Sequence, residues 1–564
     1  MTTNQDMEND MFMSRRRLLT SIGMMGIAAA AGGLAGIAKA AEGEQTAAEP
    51  SAESQLLRNQ GEKPMMVASI ASLRSMNAAP PPSTVFYVND KGQEGVFTYD
   101  ASDVTSPDNT GTVIVAASGA RFKRVYDDAL NIKWFGAKGD GVTDDSAAIQ
   151  ACVNAATHAT VYIPDGVFKV TSTIVVPQLT SIRGNGYASQ LLGSACDCLT
   201  FTVSNGLSPV VVEKFAIFGD SAANYTAINV PGNATLQRTT GITFSNIYIA
   251  YYGTGMSLRG VWHSRVYGCY MNDVWTGIKV IGQSVKNVID SCQIIRGAET
   301  IRGSGDSMAI YVDSTFDYEP GGNTEHRPED LNITKTLTFG FDYGVNWTRC
   351  LYGNIVECDF DFCRKYGIYY LTTEGGLTIA GNWVALTEGA ALYGIRGDNL
   401  GVPGGIASCR IEHNTIGHYG GTNTQCIGIG VGWNQNNTSI IGNFISGMKV
   451  FDIIVDYCEN VHVSGNRLAS DVWTSVRISS SKQPVFVNEN HANGSISYDQ
   501  AIDQIMVNGK FVKHTVPASG KWTKGDTVYN TEPVLSNDKF VIGWYRLTDG
   551  TGNALGTDWI ELKH

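Results

Sequence analysis

Two adjoining stretches decide the fold: Phe135 to Gln150 reads FGAKGDGVTDDSAAIQ, and Val161 to Val170 reads VYIPDGVFKV. The first stretch is a turn rich in Gly and Asp that leads into a helical pattern, with Ile149, Cys152 and Val153 on one face. Asp144 or Thr143 can cap this helix by accepting hydrogen bonds from its free backbone N–H groups. The second stretch reads as two short strands. Together they predict a turn, a helix and a strand pair.

A repeat follows this segment through the second half of the chain. An aliphatic residue is followed three positions later by Asn or Cys, and most intervals are about 23 to 32 residues, the period of a solenoid. Equivalent residues of successive coils stack, so amides can hydrogen-bond up the column and thiols can pack in it. We therefore predict structural roles for the residues that end the pattern. They are Asn246, Cys269, Cys292, Cys358, Asn382, Asn414, Asn443, Asn466 and Asn490.

The opening segment resembles the pectate-lyase-like superfamily, which includes polygalacturonase-like, rhamnogalacturonase-like and epimerase enzymes, inulin fructotransferases and phage tailspikes. The resemblance implies an all-β protein, a right-handed parallel β-helix. The polygalacturonase motifs are missing from the solenoid, because the paired Asp-Asp sequences lie before it and His418, in GHYG, matches Gly-His-Gly only partly. The Trp-Ile-Asp-His motif of calcium-dependent lyases is missing too. The resemblance thus indicates the fold and leaves the reaction open.

The N-terminus resembles a twin-arginine export signal. Arg15 and Arg16 lie in SRRRLL, a Gly- and Ala-rich stretch follows, and Ala38-Lys39-Ala40 forms a small-residue cleavage site ending at Ala40. The glycines and the cleavage site favour a signal peptide over a transmembrane anchor. This route exports proteins already folded in a reducing compartment, so we expect the 11 cysteines to be buried free thiols rather than disulfides. We predict a secreted or cell-envelope protein.

Composition divides the chain into five parts. Residues 1–40 are the signal peptide, 41–84 an Ala-, Ser- and Pro-rich linker, and 85–130 a small β cap. Residues 131–500 form the parallel β-helix and 505–564 a small C-terminal β module, which caps the open end or binds a partner.

The composition also limits the partners. A formal net charge of −12 argues against nucleic acid and anionic lipid, and no stretch after the signal is apolar enough to span a membrane. No compact set of His or Cys ligands stands outside the repeat, so we expect no metal and no cofactor. The predicted partner is a polysaccharide, and a homotrimer is one assembly open to such a chain.

Alternation along the strand after each repeat residue predicts an outward-facing row of polar and aromatic side chains. Rings can stack on sugars and cations can pair with acidic sugars, although a solvated sheet face would also carry polar residues. The predicted substrate-binding residues are Lys279, Tyr311, Tyr369, Arg396 and Arg477.

Carboxylates are the predicted catalytic groups, since glycoside hydrolysis uses an acid opposite a base or nucleophile. Asp313 and Asp398 hold the same position in their strands, and Glu374 lies just after another strand. If residues 313–350 form only a loop, Asp313 and Asp398 are roughly 10 Å apart. If these residues hide a further coil, the separation is about 14 Å and Glu374 is the better partner. Glu357, Asp359 and Asp361 form an alternative cluster.

Three functions remain open. The first is an exported polysaccharide-degrading enzyme, a glycoside hydrolase or polysaccharide lyase that acts in a groove on the side of the β-helix. The second is a non-catalytic glycan-binding surface protein that resembles a tailspike. The third is a fructotransferase of the inulin type.

Overall fold

The structure is a computed structural model that describes residues 66–564, except 83, 203–205, 208, 222–223, 233–238, 298–302, 320–321, 372–374, 388–391, 400–407, 421–423, 482–483, 500–501, 503 and 537. The predicted signal residues Arg15 and Arg16 and the cleavage site at Ala40 therefore lie outside the described residues, as does Glu374.

A small mixed sheet precedes the solenoid, with one parallel pair of strands, Met66–Ala68 and Val85–Val88, and antiparallel pairs elsewhere. It packs against a short helix, Ile70–Arg74, which begins at a capping box between Ser69 and Ser72. Its core contains Ile70, Leu73 and three phenylalanines, of which Phe86 and Phe122 meet edge to face. Its strands are Met66–Ala68, Val85–Val88, Gly95–Asp100, Val113–Val115 and Arg121–Arg124.

Residues 66–74 were predicted to belong to the linker but fold with this cap. The helix in this segment has only five residues, and only two of its side chains, three positions apart, enter the core. So short an apolar pattern does not stand out in a stretch rich in Ala, Ser and Pro.

The predicted all-β parallel β-helix is confirmed, because three long parallel ladders run along the chain from residue 129 to residue 507. Side chains that point inward form one continuous apolar core. The ladder that carries the candidate site is called the front sheet. Its strands are Ile174–Val176, Leu199–Phe201, Thr226–Val230, Thr254–Arg259, Thr276–Ile281, Met308–Asp313, Tyr343–Thr348, Tyr366–Leu371, Tyr393–Asp398, Ile427–Gly432, Ile453–Asp456, Thr474–Ser479 and Ser495–Tyr498.

Two further ladders complete each coil. The second sheet contains Asp140–Asp144, Gly166–Val170, Ser189–Gly193, Ala216–Phe218, Tyr248–Ala250, Tyr270–Asn272, Gln293–Ile295, Leu337–Phe339, Asp359–Cys363, Trp383–Leu386, Thr415–His418, Phe444–Ser446, Arg467–Leu468 and His491–Ala492. The third sheet contains Ala129–Asn131, Thr160–Ile163, Ser181–Gly184, Val211–Glu213, Thr243–Ser245, Arg265–Tyr267, Val288–Asp290, Leu331–Thr334, Tyr352–Val356, Gly376–Ala380, Cys409–Glu412, Thr438–Ile441, Val461–Ser464, Val485–Asn488 and Ile505–Val507. Short elements beside them are Ile132–Phe135, Gly186–Ala188, Gly206–Leu207, Thr239–Thr240 and Val261–Trp262.

The acidic residues of the opening segment build its turns. The Asp145 carboxylate accepts hydrogen bonds from the backbone N–H groups of Lys138 and Gly139, at 2.6 and 3.0 Å. Asp144 accepts from the backbone N–H of Ser146, where the helix Ser146–Ala155 begins. A Cβ at Gly139 would lie 2.7 Å from the Phe168 ring. This segment therefore specifies a close turn over a core strand, which explains why it indicates a fold and no reaction.

A buried amide column runs through the later coils, as predicted. Each Asn side chain donates from Nδ2 to Oδ1 of the next Asn, at 2.8 to 3.0 Å, and to a backbone carbonyl. The column consists of Asn382, Asn414, Asn443, Asn466 and Asn490. Cys358 precedes it, and its backbone N–H donates to Asn382.

Two residues depart from the predicted column. Asn246 is exposed and adopts a left-handed turn conformation, with φ 52°. The register instead places Ile247 in the column, level with Cys269. Between Cys292 and Cys358 the column is occupied by buried Thr336, whose hydroxyl accepts from the Cys292 N–H.

The last strands form a mostly antiparallel module with a core of three tryptophans and Val528. Its strands are Lys510–Lys513, Thr527–Asn530, Leu535–Ser536, Lys539–Arg546 and Trp559–Lys563. The Arg546 side chain is buried between them and donates to the carbonyls of Thr548 and Gly552.

Candidate functional site

The stretch from residue 313 to residue 350 contains both a hairpin and a further coil. The hairpin pairs Thr315–Glu319 with Gly322–His326, and the coil adds the front strand Tyr343–Thr348. The repeat pattern did not reveal this coil because its column residue is Thr336 rather than Asn or Cys.

Asp313 and Asp398 share one column but lie three strands apart. Their strands are separated by Tyr343–Thr348 and Tyr366–Leu371. At the usual spacing between strands this is about 14 Å, too far for both carboxylates to act on one glycosidic bond. The predicted pairing of Asp313 with Asp398 is therefore wrong, whereas a role for either residue alone stays a prediction.

Both oxygens of Asp313 contact neighbouring groups. Oδ2 accepts a hydrogen bond from the Tyr311 hydroxyl at 2.5 Å, and Oδ1 accepts from the Ser314 backbone N–H at 2.8 Å. Burial and the Asp313 carboxylate both raise the pKa of Tyr311, so its hydroxyl remains a proton donor.

Asp398 is 8% exposed and is bound by arginine. Arg396 donates from Nε to Oδ2 at 3.0 Å and from Nη2 to Oδ1 at 2.5 Å. This two-point contact orients the carboxylate rigidly toward the end of its strand.

Glu374 lies outside the described residues. The strand before it ends at Leu371, which pairs with Asp398 across the ladder.

Four tyrosines lie together on the outer face of the front sheet, and we call them the tyrosine strip: Tyr343, Tyr366, Tyr369 and Tyr393. The Tyr366 ring centroid lies 4.9 Å from that of Tyr343 and 6.1 Å from that of Tyr393, with near-parallel planes. Tyr369 lies 5.2 Å from Tyr366. Stacking of residues that begin successive strands produces this row.

The hydroxyls of Tyr343, Tyr366 and Tyr369 stay protonated at neutral pH, because the pKa of each is raised. Burial, with Asp398 nearby, raises the pKa of Tyr369 to about 12. Burial also raises the pKa of Tyr343, as do the neighbouring tyrosines and Asp306. The strip therefore offers apolar rings with hydroxyl donors at their tips.

Four of the five predicted substrate-binding residues form two pairs on neighbouring strands, and the strand Tyr343–Thr348 lies between the two pairs. Lys279 pairs with Tyr311 across the ladder, and Tyr369 pairs with Arg396. The Lys279 ammonium lies 5.7 Å from the Tyr311 ring centroid, and the Arg396 guanidinium lies 5.0 Å from that of Tyr393.

Arg477 stands apart from the other four. It lies three strands beyond Arg396, across Gly430 and Ile454, and it pairs with Asp499 at 2.6 Å.

Charged side chains also stand just before the front strands. Lys365 donates to Oδ1 of Asp306 at 2.5 Å, and this contact raises the pKa of the lysine. Asp342 accepts from the backbone N–H and the hydroxyl of Ser307, both at 2.8 Å. Buried Arg296 donates to the same hydroxyl.

Asp306 and Asp342 therefore belong to adjacent coils beside the strip, since Ser307 and Asp342 precede paired strands. Strand alternation does not predict them, because they lie outside the strands. The sequence feature that could have identified them is a carboxylate one or two residues before the first aromatic or aliphatic residue of a strand.

The alternative cluster belongs to another face. Asp359 and Asp361 lie in a second-sheet strand, and Glu357 occupies the turn before it. The Glu357 carboxylate is 63% exposed and lies 4.0 Å from Lys335. This cluster does not meet the tyrosine strip.

A shallow groove of about 260 Å³ lies on the third sheet. Tyr352, Gly376 and Arg410 line it, and the Tyr352 hydroxyl donates to Glu329 at 2.6 Å. The groove begins at the corner where the front strands end.

Among the described residues no group of three or more His, Cys, Asp or Glu side chains is arranged to hold a metal ion. Within the same residues no helix has the length and apolar character needed to cross a membrane.

Comparison with protein families confirms the predicted resemblance. Residues 129–208 match the family described as "Rhamnogalacturonase A/epimerase, pectate lyase-like". Residues 66–127, the small cap, match "Phage tail protein small four-stranded beta-sheet domain".

Curated relatives match about half of the chain. A "Tail spike protein" of Shigella phage Sf6 is 24% identical over 46% of this chain and 43% of its own length. "Depolymerase 1, capsule K30/K69-specific" of Klebsiella phage K5-2 is 35% identical over 49% of this chain and 33% of its own length. The chain thus spans less than half the length of these relatives.

Among solved structures, tailspike protein 3 of bacteriophage CBA120 aligns with a TM-score of 0.48 and 14% identity, over 77% of this chain and 70% of that chain.

Proposed function

We propose that this chain binds and cleaves a polysaccharide on its front sheet, along the tyrosine strip. The observation that carries the proposal is the combination of four clustered tyrosines with charged side chains on both sides. Stacked rings offer apolar faces to sugar rings, and the flanking groups can bind hydroxyls or move protons. The names of the two curated relatives, a tail spike and a capsule depolymerase, support the same substrate class.

Asp306 and Asp342 are the carboxylates best placed to act as a pair. They stand on adjacent coils, so their backbones are roughly 5–7 Å apart, and side chains that start this close can bring two carboxyl groups to either side of a glycosidic bond. Their hydrogen bonds engage Oδ1 of Asp306 and Oδ2 of Asp342. In this proposal Lys365 positions Asp306, and Ser307 positions Asp342.

The sequence-based assignment of Asp398 with Glu374 is the alternative pair. Leu371 neighbours Asp398 and stands three residues before Glu374 along the chain. Hydrolysis by either pair would release reducing ends, whereas elimination would release products that absorb in the ultraviolet.

The test is incubation of the mature protein with capsular, neutral and uronic-acid polysaccharides, followed by both readings. Under this proposal one polysaccharide is depolymerised. Asp306→Asn or Asp342→Asn then abolishes the release of products from that polysaccharide, and Asp361→Asn on the second sheet leaves this release unchanged. Loss only in Asp398→Asn would assign the chemistry to the alternative pair.

A second candidate is a glycan-binding protein without catalysis. The occupied oxygens of Asp313 and Asp398 favour it, because both carboxylates are engaged by neighbouring side chains or backbone. Binding without any product in the same incubation would select it. Inulin-type transfer would instead appear as a cyclic or rearranged fructan.

Export and assembly belong to the same proposal. A glycan on a cell or capsule surface is reached by an exported protein, in keeping with Arg15, Arg16 and the site at Ala40. A homotrimer would use the exposed apolar strip of the C-terminal module, where Tyr545 and Ile560 are 38% and 49% exposed and pair across the sheet.

A further inference from the structure

Two exposed aromatic rings stand on neighbouring coils at the corner where front strands end. Trp433 follows the strand Ile427–Gly432, and Tyr457 follows Ile453–Asp456. The two side chains are 50% and 47% exposed. Their ring centroids lie 5.2 Å apart and their planes differ by 17°, so they stack.

The backbone at this corner does not favour aromatic residues. Trp433 and Tyr457 adopt left-handed conformations, with φ 51° and 53°. On two earlier coils the turn after the front strand uses Gly260 and Gly282, with φ 61° and 65°. A bulky side chain is strained there, and half-exposed rings recover little of that strain through core packing.

The coils on either side of the pair have no aromatic residue at the equivalent position. On the preceding coil the equivalent position is held by Asn399, which is 5% exposed and donates its backbone N–H to the Trp433 carbonyl. On the following coil it is held by Ser480, a small residue in the same turn conformation.

The pair is continuous with the front-sheet site. Gly432, immediately before Trp433, pairs with Asp398 across the ladder. A Cβ on Gly432 would lie 2.7 Å from the Arg396 guanidinium, so the glycine leaves room between the arginine and the tryptophan.

We infer that Trp433 and Tyr457 form a stacking subsite for a pyranose ring of the bound polysaccharide. This inference rests on the proposed function and extends its site along the corner. The C–H face of a pyranose packs flat against an aromatic ring, which the parallel and exposed rings present. Asp456 adjoins Tyr457 and would repel an acidic sugar, so the ring held here is neutral.

The test is native electrophoresis of the full chain in gels that contain dextran, laminarin or polygalacturonate. We expect a neutral glucan to retard the wild-type protein. Trp433→Ala should weaken this binding about tenfold. Tyr457→Ala should also weaken it, whereas Tyr457→Phe, which keeps the ring, should not. Trp473→Ala is the matched control, because Trp473 is 97% exposed and lies at the opposite end of a front strand.

Equal retardation of Trp433→Ala and the wild-type protein would overturn the subsite. It would also be overturned if only the polygalacturonate gel retarded the wild-type protein, or if none of the three polysaccharides did. Reducing-end release separates this inference from the proposed function. If wild type cleaves a polysaccharide and Trp433→Ala cleaves it equally well, the subsite fails and the function stands. If retardation depends on Trp433 but no polysaccharide is cleaved, the subsite stands and the catalytic proposal fails.

Discussion

Two buried polar residues of the solenoid, Asn443 and Asp452, differ in how well their side-chain polar groups are hydrogen-bonded. Asn443 donates from Nδ2 to Asn466 at 3.0 Å and to the Ile411 carbonyl at 2.9 Å, and it accepts from Asn414. Asp452 is equally buried, but its carboxylate makes no hydrogen bond of good geometry among the described residues, and the nearby Ser470 and Ser475 offset its burial only in part. An Asn such as Asn443 can recur on successive coils because each amide pairs with the next. Asp452 instead places a carboxylate in a column of small residues such as Ser475.

Replacing Asn443 with Leu should destabilise the fold. The change leaves the N–H of Asn414 and the amides above and below without partners, and each unpaired buried group costs about 1–3 kcal/mol. The free energy of unfolding in urea measures the loss. Asn229→Leu on the front sheet is the control, because Asn229 makes a single side-chain contact of 3.5 Å. Normal stability with lost activity in Asn443→Leu would instead give this column a catalytic role.

Replacing Asp452 with Ser should stabilise the protein at pH 7 by about 1–3 kcal/mol. Burial raises the pKa of Asp452 above its ordinary value, so ionisation costs the folded state more than the unfolded state. The advantage of the variant should therefore shrink as pH falls toward the ordinary carboxyl pKa. Ser475 already occupies the equivalent position on the next coil. The measurement is the free energy of unfolding in urea at pH 7 and pH 4 for both proteins. A variant that is less stable than the wild-type protein at pH 7 would contradict the prediction.

The stacked columns of residues on successive coils are the feature that the sequence predicted most closely. The Asn column could be predicted because one residue type recurs in it coil after coil, and each amide bonds to the amide of the next coil. The coil at Leu331–Thr348 could not, because Thr336 performs the same bonding with a residue type that is common everywhere. Because the sequence left this coil open, it also left open the distance between Asp313 and Asp398. The charged groups at Asp306 and Lys365 were missed because turns between sheets have no fixed period.

The cysteine columns should contain only free thiols. All 11 cysteines are buried and unpaired, and burial raises the pKa of Cys358 and of Cys409 to about 12. We expect almost no reaction of the native protein with a thiol reagent at pH 8, and 11 thiols after denaturation without reductant. A titration that finds one thiol and five disulfides would contradict both the packing and the predicted export of a folded chain.

Residues 129–507 form a solenoid whose front sheet carries the proposed site, and the last module exposes apolar side chains. If that module joins three copies, light scattering should give three times the chain mass of 60.6 kDa. Ile560→Asp should then reduce the mass toward one copy, because it places a charge in the apolar strip. Val142→Asp is the control, since Val142 is exposed at the other end of the chain. A wild-type monomer would remove the trimer from the proposal.

The most direct test of the central claim compares tyrosine pairs on two faces of the solenoid. Tyr366 stacks within the strip on the front sheet, and Tyr270 stacks on Tyr248 of the second sheet at 5.2 Å and 9°. The measurement is the rate of reducing-end release from the polysaccharide that the wild-type protein cleaves, for Tyr366→Ala and for Tyr270→Ala. The front-sheet site predicts a loss of about tenfold or more for Tyr366→Ala and a wild-type rate for Tyr270→Ala. Equal rates for the two variants, or a loss confined to Tyr270→Ala, would contradict it.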